Sequence, residues 1–110
     1  LETLAHPQSR RVMSAENVAL LRKMLQLVVE EGTAQDAAWL EEGAGGKTGT
    51  AQTGQFTPDG TERKNLWFAG FYPAQQPRYT TVVLQDGQLS TEHSSAAIFA
   101  RLCAMLDLLA

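Results

Sequence analysis

The stretch Gly45-Gly46-Lys47-Thr48-Gly49-Thr50-Ala51-Gln52 decides how this 110-residue chain is interpreted. Closely spaced glycine and threonine are poor in a helix and suit an extended backbone that another group approaches closely. If the stretch is a strand, Lys47 and Gly49 lie on one face and Thr48 and Thr50 on the other. The pattern therefore predicts a strand over about 45–53, with polar side chains on both faces.

Two more strands are predicted after it, at about 65–72 and 78–86. The first is aromatic, and the second is rich in threonine and valine, both of which favour a pleated surface. Thr57-Pro58-Asp59-Gly60 separates the first two strands and has the residues of a tight turn. Val82-Val83-Leu84 are consecutive, which predicts cover on both faces of the third strand. Short connections between successive strands favour an antiparallel meander.

Helices are predicted on either side of the strands. Ser14 is a good N-cap, an apolar stripe with helical spacing follows it, and Gly32 stands where a terminal glycine would end the helix. We predict a helix over 14–31 and a second over about 95–109. The expected fold is α+β, a three-stranded antiparallel meander flanked by an N-terminal and a C-terminal helix.

Composition excludes several function classes. Hydrophobic residues make up 44% and charged residues 19%, and the net charge of −3 gives no reason to expect nucleic acid as a partner. The single cysteine, Cys103, excludes an intramolecular disulfide, and His6 and His93 match no metal-ligand spacing. No apolar run is long enough to span a bilayer. We predict no metal, no cofactor and no membrane segment, and therefore a soluble chain. Because Leu1 is not methionine, we expect this chain to be a fragment or a processed piece.

The Lys-Thr-Gly run has two chemical interpretations besides a plain polar loop. Gly46-Lys47-Thr48 ends like a phosphate-binding loop, but Glu41 stands where the opening glycine of that motif is required, and no apolar strand precedes it. The alternative is the K-T-G element of serine acyl-enzymes that act on β-lactams and D-alanyl peptides. A lysine ammonium beside threonine hydroxyls suits a ligand carboxylate.

The surroundings of the run carry a family resemblance. The chain resembles the C-terminal part of the transpeptidase domain of class B penicillin-binding proteins, in order and without large gaps, over about residues 12–109. The similar segments are Val28-Val29-Glu30-Glu31-Gly32-Thr33-Ala34, Gly45 to Gln52, Trp67-Phe68-Ala69-Gly70-Phe71-Tyr72-Pro73-Ala74, Pro77-Arg78-Tyr79 and Ala96-Ala97-Ile98-Phe99.

The resemblance implies a substrate-binding strand that contains Gly49, with Lys47 and Thr48 lining a cleft. The Thr50 side chain would bind the carboxylate of a peptidoglycan stem peptide or a β-lactam, and its backbone N–H would be an oxyanion-hole donor. Gln52 would lie at the cleft's edge. In the family, acyl transfer passes through a serine ester and cross-links peptidoglycan. The resemblance also implies a parent protein at the extracytoplasmic face of the bacterial membrane.

The family's nucleophile is not found in this sequence. The family supplies it as S-x-x-K, with a second S-x-N element, and acyl transfer needs such an activated nucleophile. None of the five serines fits either pattern: Ser9, Ser14, Ser90, Ser94 and Ser95. We expect the chain to be inactive alone, as one wall of an active site. A β-lactamase or β-lactam sensor fragment, or a non-catalytic binding module, remains the alternative.

The family's sheet has five strands, so the resemblance makes this chain a fragment of it. The strand at 78–86 would normally pair with a strand from the missing N-terminal part of the domain. Left unpaired, a two-sided apolar edge is an association hazard. We therefore expect either self-association through residues 79–85 or a requirement for the N-terminal partner.

Overall fold

A computed structural model describes residues 8–109, which leaves Leu1 and His6 outside the described part. Helix α1 spans Ala15–Glu30, and a short 3-10 turn at Gln35–Ala37 follows it. Three strands come next, β1 at Gly45–Phe56, β2 at Glu62–Tyr72 and β3 at Tyr79–Gln88, and helix α2 spans Ser95–Leu109. The strands form one antiparallel sheet in the order β1-β2-β3. The predicted α+β fold with a three-stranded meander is confirmed.

The register of the sheet defines two faces. Phe68 of β2 lies opposite Thr48 of β1 and Val83 of β3, and we call this side the core face. Ala69 lies between Lys47 and Val82 on the other side, the open face. Because side chains alternate along a strand, every second residue of β1 belongs to the core face.

Helix α1 begins as predicted and ends for a different reason. The Ser14 hydroxyl accepts the Asn17 N–H at 3.2 Å, so Ser14 is the N-cap. The helix stops at Glu30, one residue before the predicted end. Gly32 is not among the glycines with positive φ. A Cβ there would lie 2.9 Å from the Val28 carbonyl oxygen, so glycine is needed for a close approach and not for a left-handed turn.

The core lies between the sheet and the helices. The rings of Phe68 and Phe99 have centroids 4.7 Å apart and are tilted by 50°, which joins β2 to α2. Ser95 is the buried polar side chain, and its hydroxyl donates to the Leu66 carbonyl at 2.7 Å. Other fully buried core members come from the helices, the connecting segments and β2: Val29, Ala34, Ala37, Ala44, Tyr72, Ala96, Ala100 and Cys103.

The open face corrects one prediction. Val82 is 59% exposed and Leu84 is 44% exposed, whereas their neighbour Val83 packs against the core. The expectation that both faces of β3 are covered is therefore wrong for the described part of the chain. The reason is geometric. Helix α2 packs on the core face of β2 and β3, where Phe99 contacts Phe68, and so it does not cover the open face.

The β1–β2 hairpin extends past the end of β3. The last pair that β2 makes with β3 is Lys64 with Gln88, so residues 53–63 form a two-stranded arm beyond the sheet. The predicted turn closes this arm, where the Gly60 N–H donates to the Thr57 carbonyl at 2.9 Å and Gly60 has φ +88. Strand β1 is accordingly longer than the predicted range of 45–53.

Candidate functional site

The site residues predicted from the sequence all lie on one free edge of the sheet. Strand β1 pairs with β2 on one side, and in the described residues no strand pairs with its other side. Four of these residues are exposed and Thr48 is half-buried; the exposed ones are Lys47, Gly49, Thr50 and Gln52. The edge is therefore open to an extended ligand along the Lys-Thr-Gly stretch.

The faces divide these residues into two groups. Lys47 and Gly49 lie opposite Ala69 and Trp67 on the open face, whereas Thr48 and Thr50 belong to the core face. Side chains on opposite faces of a strand point away from each other. One carboxylate can therefore meet the Lys47 ammonium and the Thr50 hydroxyl together only at the free edge of β1.

Two glycines allow aromatic rings to pack on the first two residues of β1, Gly45 and Gly46, which we call the root of β1. A Cβ on Gly46 would lie 2.6 Å from the Ala69 carbonyl oxygen and 2.9 Å from the Gly70 Cα, and it would also contact the Phe68 ring. On the other face, a Cβ on Gly45 would lie 2.7 Å from the Phe71 Cε1. The backbone just before Lys47 is thus packed between the Phe68 ring on one face and the Phe71 ring on the other. These contacts set the position where the Lys-Thr-Gly stretch begins.

Thr48 is the centre of the polar contacts in the stretch. The Lys47 Nζ donates to the Thr48 carbonyl at 2.7 Å, so the ammonium rests on the backbone of its own strand. The Thr48 hydroxyl lies 2.9 Å from the hydroxyl of Thr33, which follows α1. The carbonyl and the hydroxyl of Thr48 therefore each have a partner, one from β1 and one from the segment after α1.

A second polar cluster joins the end of β2 and the loop before β1 to α2. The Tyr72 hydroxyl, at the end of β2, donates to the Asp107 carboxylate of α2. Glu42 Oε2 lies 3.4 Å from the same Tyr72 hydroxyl. Arg78 Nη2 lies 3.4 Å from Asp107 Oδ1. Burial, together with the nearby Asp107 and Glu42 carboxylates, raises the pKa of Tyr72. The phenol therefore stays protonated and acts as a donor.

The backbone strengthens that connection. The Ala74 N–H, just after β2, donates to the carbonyls of Glu42 at 3.2 Å and Gly43 at 3.1 Å. Gly43 has φ +67, a conformation that side-chain-bearing residues rarely adopt. The loop that leads into β1 is consequently tied to the loop that leaves β2.

The described residues contain few groups suited to other chemistry. Burial raises the pKa of the Cys103 thiol to about 11, with a smaller contribution from Asp107, so the thiol is a poor nucleophile at neutral pH. Between residues 8 and 109, no group of three His, Cys, Asp or Glu side chains could hold a metal ion. No helix in that range is long and apolar enough to cross a membrane.

The sequence predicts a close approach to the stretch that begins with Gly45 and Gly46, but not the groups that approach it, and it predicts no role at the site for Thr33. Thr33 belongs to one of the segments that resemble the family, and nothing else in the sequence marks it as a site residue. The signal for the glycines was present in the sequence, since two adjacent glycines precede a strand and two phenylalanines follow in the next strand. Recognising their contact required the register between β1 and β2, which the sequence does not state.

Comparison with known proteins identifies the family. The chain matches the family described as penicillin binding protein transpeptidase domain over residues 3–104. It is also similar to a peptidoglycan D,D-transpeptidase FtsI homolog from Chlorokybus atmophyticus, with 35% identity over 82 residues. That match covers 72% of this chain and 12% of the relative, so the chain spans only a small part of the relative's length. The family match and the open Lys-Thr-Gly edge agree, and the chain belongs to the penicillin-binding protein transpeptidase domain family.

Proposed function

We propose that this chain supplies the substrate-binding strand of a penicillin-binding D,D-transpeptidase, which cross-links peptidoglycan through a serine ester. One observation carries the proposal. The Lys-Thr-Gly-Thr stretch, Lys47 to Thr50, occupies an exposed edge strand in a chain of this family. The relative is named a peptidoglycan D,D-transpeptidase, which favours transpeptidation over β-lactam hydrolysis or sensing as the parent activity.

The roles of the residues follow from the chemistry of the edge. Lys47 contributes a positive charge, and the Thr50 hydroxyl donates to the carboxylate of a D-alanyl stem peptide or a β-lactam. The Thr50 N–H, held in a strand, serves as an oxyanion-hole donor because its direction is set before the reaction begins. Gly49 leaves room for the ligand backbone, Thr48 lines the cleft, and Gln52 lies at the edge of the cleft.

The chain needs a partner for catalysis because it contains no S-x-x-K nucleophile. We place that nucleophile in the N-terminal part of the same domain, which also supplies a strand to the free edge of β3. The parent protein would act at the extracytoplasmic face of the bacterial membrane, where peptidoglycan is assembled. Without that partner, the β3 edge at residues 79–85 is available for self-association, since its open face bears Val82 and Leu84.

A fluorescent penicillin tests the proposed ligand site. The chain alone is expected to remain unlabelled, whereas the protein that contains the whole domain is expected to become labelled. In that protein, Lys47→Ala should slow labelling by about 10- to 100-fold, the value of one charge-assisted hydrogen bond. Thr50→Ala keeps the backbone N–H and should have a smaller effect. Lys23→Ala is the matched control, because Lys23 is an exposed lysine on α1.

Two results would contradict the proposal. Covalent labelling of the chain alone would mean that a nucleophile outside the S-x-x-K pattern exists here. Equal labelling rates for Lys47→Ala and Lys23→Ala would mean that the edge of β1 does not bind the ligand.

Light scattering after gel filtration tests the state of the β3 edge. We expect dimers or larger species that grow with protein concentration. Val82→Lys places a charge on the open face of the edge strand and should restore the monomer. A wild-type chain that stays monomeric at high concentration would rule out self-association.

A further inference from the structure

Thr33 is the residue near the edge of β1 that the proposed function leaves without a role. We propose that it is a positioning residue for the anion-binding end of β1 and that it acts through Thr48, an inference that rests on the proposed function. Its hydroxyl would hold the Thr48 oxygen, leaving the Thr48 O–H free to donate to an anionic ligand.

The end of α1 fixes Thr33 from both sides. The Gly32 N–H and the Ala34 N–H both donate to the Val28 carbonyl at 3.1 Å. Ala34 is fully buried in the core, whereas Thr33 between these two residues is exposed. Its backbone is therefore set by the helix end, and its hydroxyl reaches Thr48 from a rigid position. Gly32 is required for this path because a Cβ there would meet the Val28 carbonyl.

Whether Thr33 or Thr48 donates in their hydrogen bond decides whether the Thr48 proton is available to an anion. The Thr33 and Thr48 oxygens lie 2.9 Å apart, and either can be the donor. Each hydroxyl has one proton to donate. If Thr48 donates to Thr33, its proton is no longer available to a ligand. When an anion accepts the Thr48 proton, the pair survives only with Thr33 as the donor, and such a chain of hydrogen bonds reinforces itself.

The Lys47 ammonium already has a hydrogen-bond partner in β1, and an anionic ligand has to replace it. It rests on the Thr48 carbonyl at 2.7 Å, so an anionic ligand must compete with that carbonyl for the ammonium. Strand pairing holds the Thr48 carbonyl, whereas the direction of the Thr48 hydroxyl depends on its χ1 rotamer. Thr33 contacts that hydroxyl at 2.9 Å and fixes its direction. The effect of Thr33 should therefore be larger for a ligand with a negative charge, because a hydroxyl donates more strongly to an anion than to a neutral acceptor.

The first experiment is independent of the proposed function and uses the 110-residue chain with Val82→Lys, the substitution expected to keep it monomeric. Three-bond couplings measured by NMR report the χ1 rotamer of Thr48. We expect one rotamer in the wild type and in Thr33→Ser, which retains the hydroxyl, and rotamer averaging in Thr33→Val, which has the same shape without it. Unchanged Thr48 couplings in Thr33→Val would overturn the proposal.

The second experiment measures ligand discrimination in the protein that contains the whole domain. The acylation rate with benzylpenicillin is compared with that of its methyl ester, which lacks the negative charge. Thr33→Val should lower the rate for the free acid by about three- to tenfold, the effect of one neutral hydrogen bond, and leave the rate for the ester within about twofold. Thr33→Ser should restore the rate for the acid. Equal losses for both ligands would show a merely structural role and overturn the proposal.

The two failures can be told apart. If the wild-type whole-domain protein is not acylated at all, the proposed function is wrong, and the NMR couplings alone decide whether Thr33 positions Thr48. If acylation occurs but Thr33→Val changes neither the ratio between the two penicillins nor the Thr48 rotamer, only the positioning role fails.

Discussion

Replacement of Gly46 by alanine tests whether the root of the Lys-Thr-Gly strand is tightly packed. The new Cβ would lie 2.6 Å from the Ala69 carbonyl oxygen and 2.9 Å from the Gly70 Cα. Both are backbone atoms of the central strand, so neither can move aside without disturbing the sheet. Overpacking of this kind costs about 1–3 kcal/mol. Alanine also stabilises a strand relative to glycine by roughly 0.5–1 kcal/mol, which offsets part of that loss.

The expected net loss in the free energy of unfolding for Gly46→Ala is about 1–2 kcal/mol, which corresponds to a melting temperature lower by about 5–15 °C. Gly49→Ala is the matched control on the same strand. Its Cβ would lie 3.6 Å from the Trp67 Cβ, an ordinary contact. Because it meets no obstacle, this variant should be more stable than the wild type by roughly 0.5–1 kcal/mol.

Urea unfolding followed by circular dichroism measures both variants, at a protein concentration where light scattering shows one species. Gly45→Ala should fall between them, since it meets the Phe71 ring, a half-buried side chain that can rotate. If Gly46→Ala proves as stable as Gly49→Ala, the close packing of Phe68 and the central strand on the root of β1 is refuted.

Three further predictions concern α2, the core and the arm. Ser94→Ala removes the hydroxyl that accepts an N–H in the first turn of α2, and urea titration should show a loss of about 1 kcal/mol, whereas Ser94→Thr should lose little. The pKa of the Cys103 thiol is raised from 9.0 to about 11, so the thiol stabilises the fold below pH 9 and loses this contribution as the pH rises to 11. Over that range the free energy of unfolding of the wild type should fall by up to about 2–3 kcal/mol relative to that of Cys103→Ala. Parallel curves of unfolding free energy against pH for the two proteins would contradict this. Hydrogen bonds from the Thr57 side chain and the Thr61 backbone lower the pKa of Asp59. The carboxylate therefore stabilises the turn above pH 3.8 and loses this contribution at more acidic pH. The NMR shift of the Thr61 amide should titrate with a midpoint below pH 3.8, and this titration should be absent in Asp59→Asn.

Local patterns were sufficient to predict most of the fold. The cap at Ser14 and the apolar stripe behind it placed α1, and the turn residues from Thr57 to Gly60 placed the hairpin. The Lys-Thr-Gly stretch was predicted as a strand and forms the first part of β1. These features depend on residues a few positions apart, where backbone preference and periodicity decide the outcome.

Contacts between distant residues could not be predicted in this way. Tyr72 and Asp107 lie 35 positions apart, and only the packing of α2 on the sheet brings them together. The consecutive residues from Val82 to Leu84 indicated a strand covered on both faces, yet the described residues cover one. Hydrophobicity shows that a surface can be buried, but it does not show which neighbour buries it or whether that neighbour belongs to the same chain.

The arm formed by residues 53–63 has a practical consequence for protein engineering. Its tip is held by its own hydrogen bonds, such as that from the Thr57 N–H to the Thr61 carbonyl at 2.9 Å, and the arm lies outside the pairing of β2 with β3. A peptide bond cut at the tip would leave the long antiparallel pairing from Gly45 to Gln52 intact to hold the two pieces together. Two segments expressed separately, with the break at this tip, are therefore expected to reassociate by pairing the Lys-Thr-Gly strand with β2.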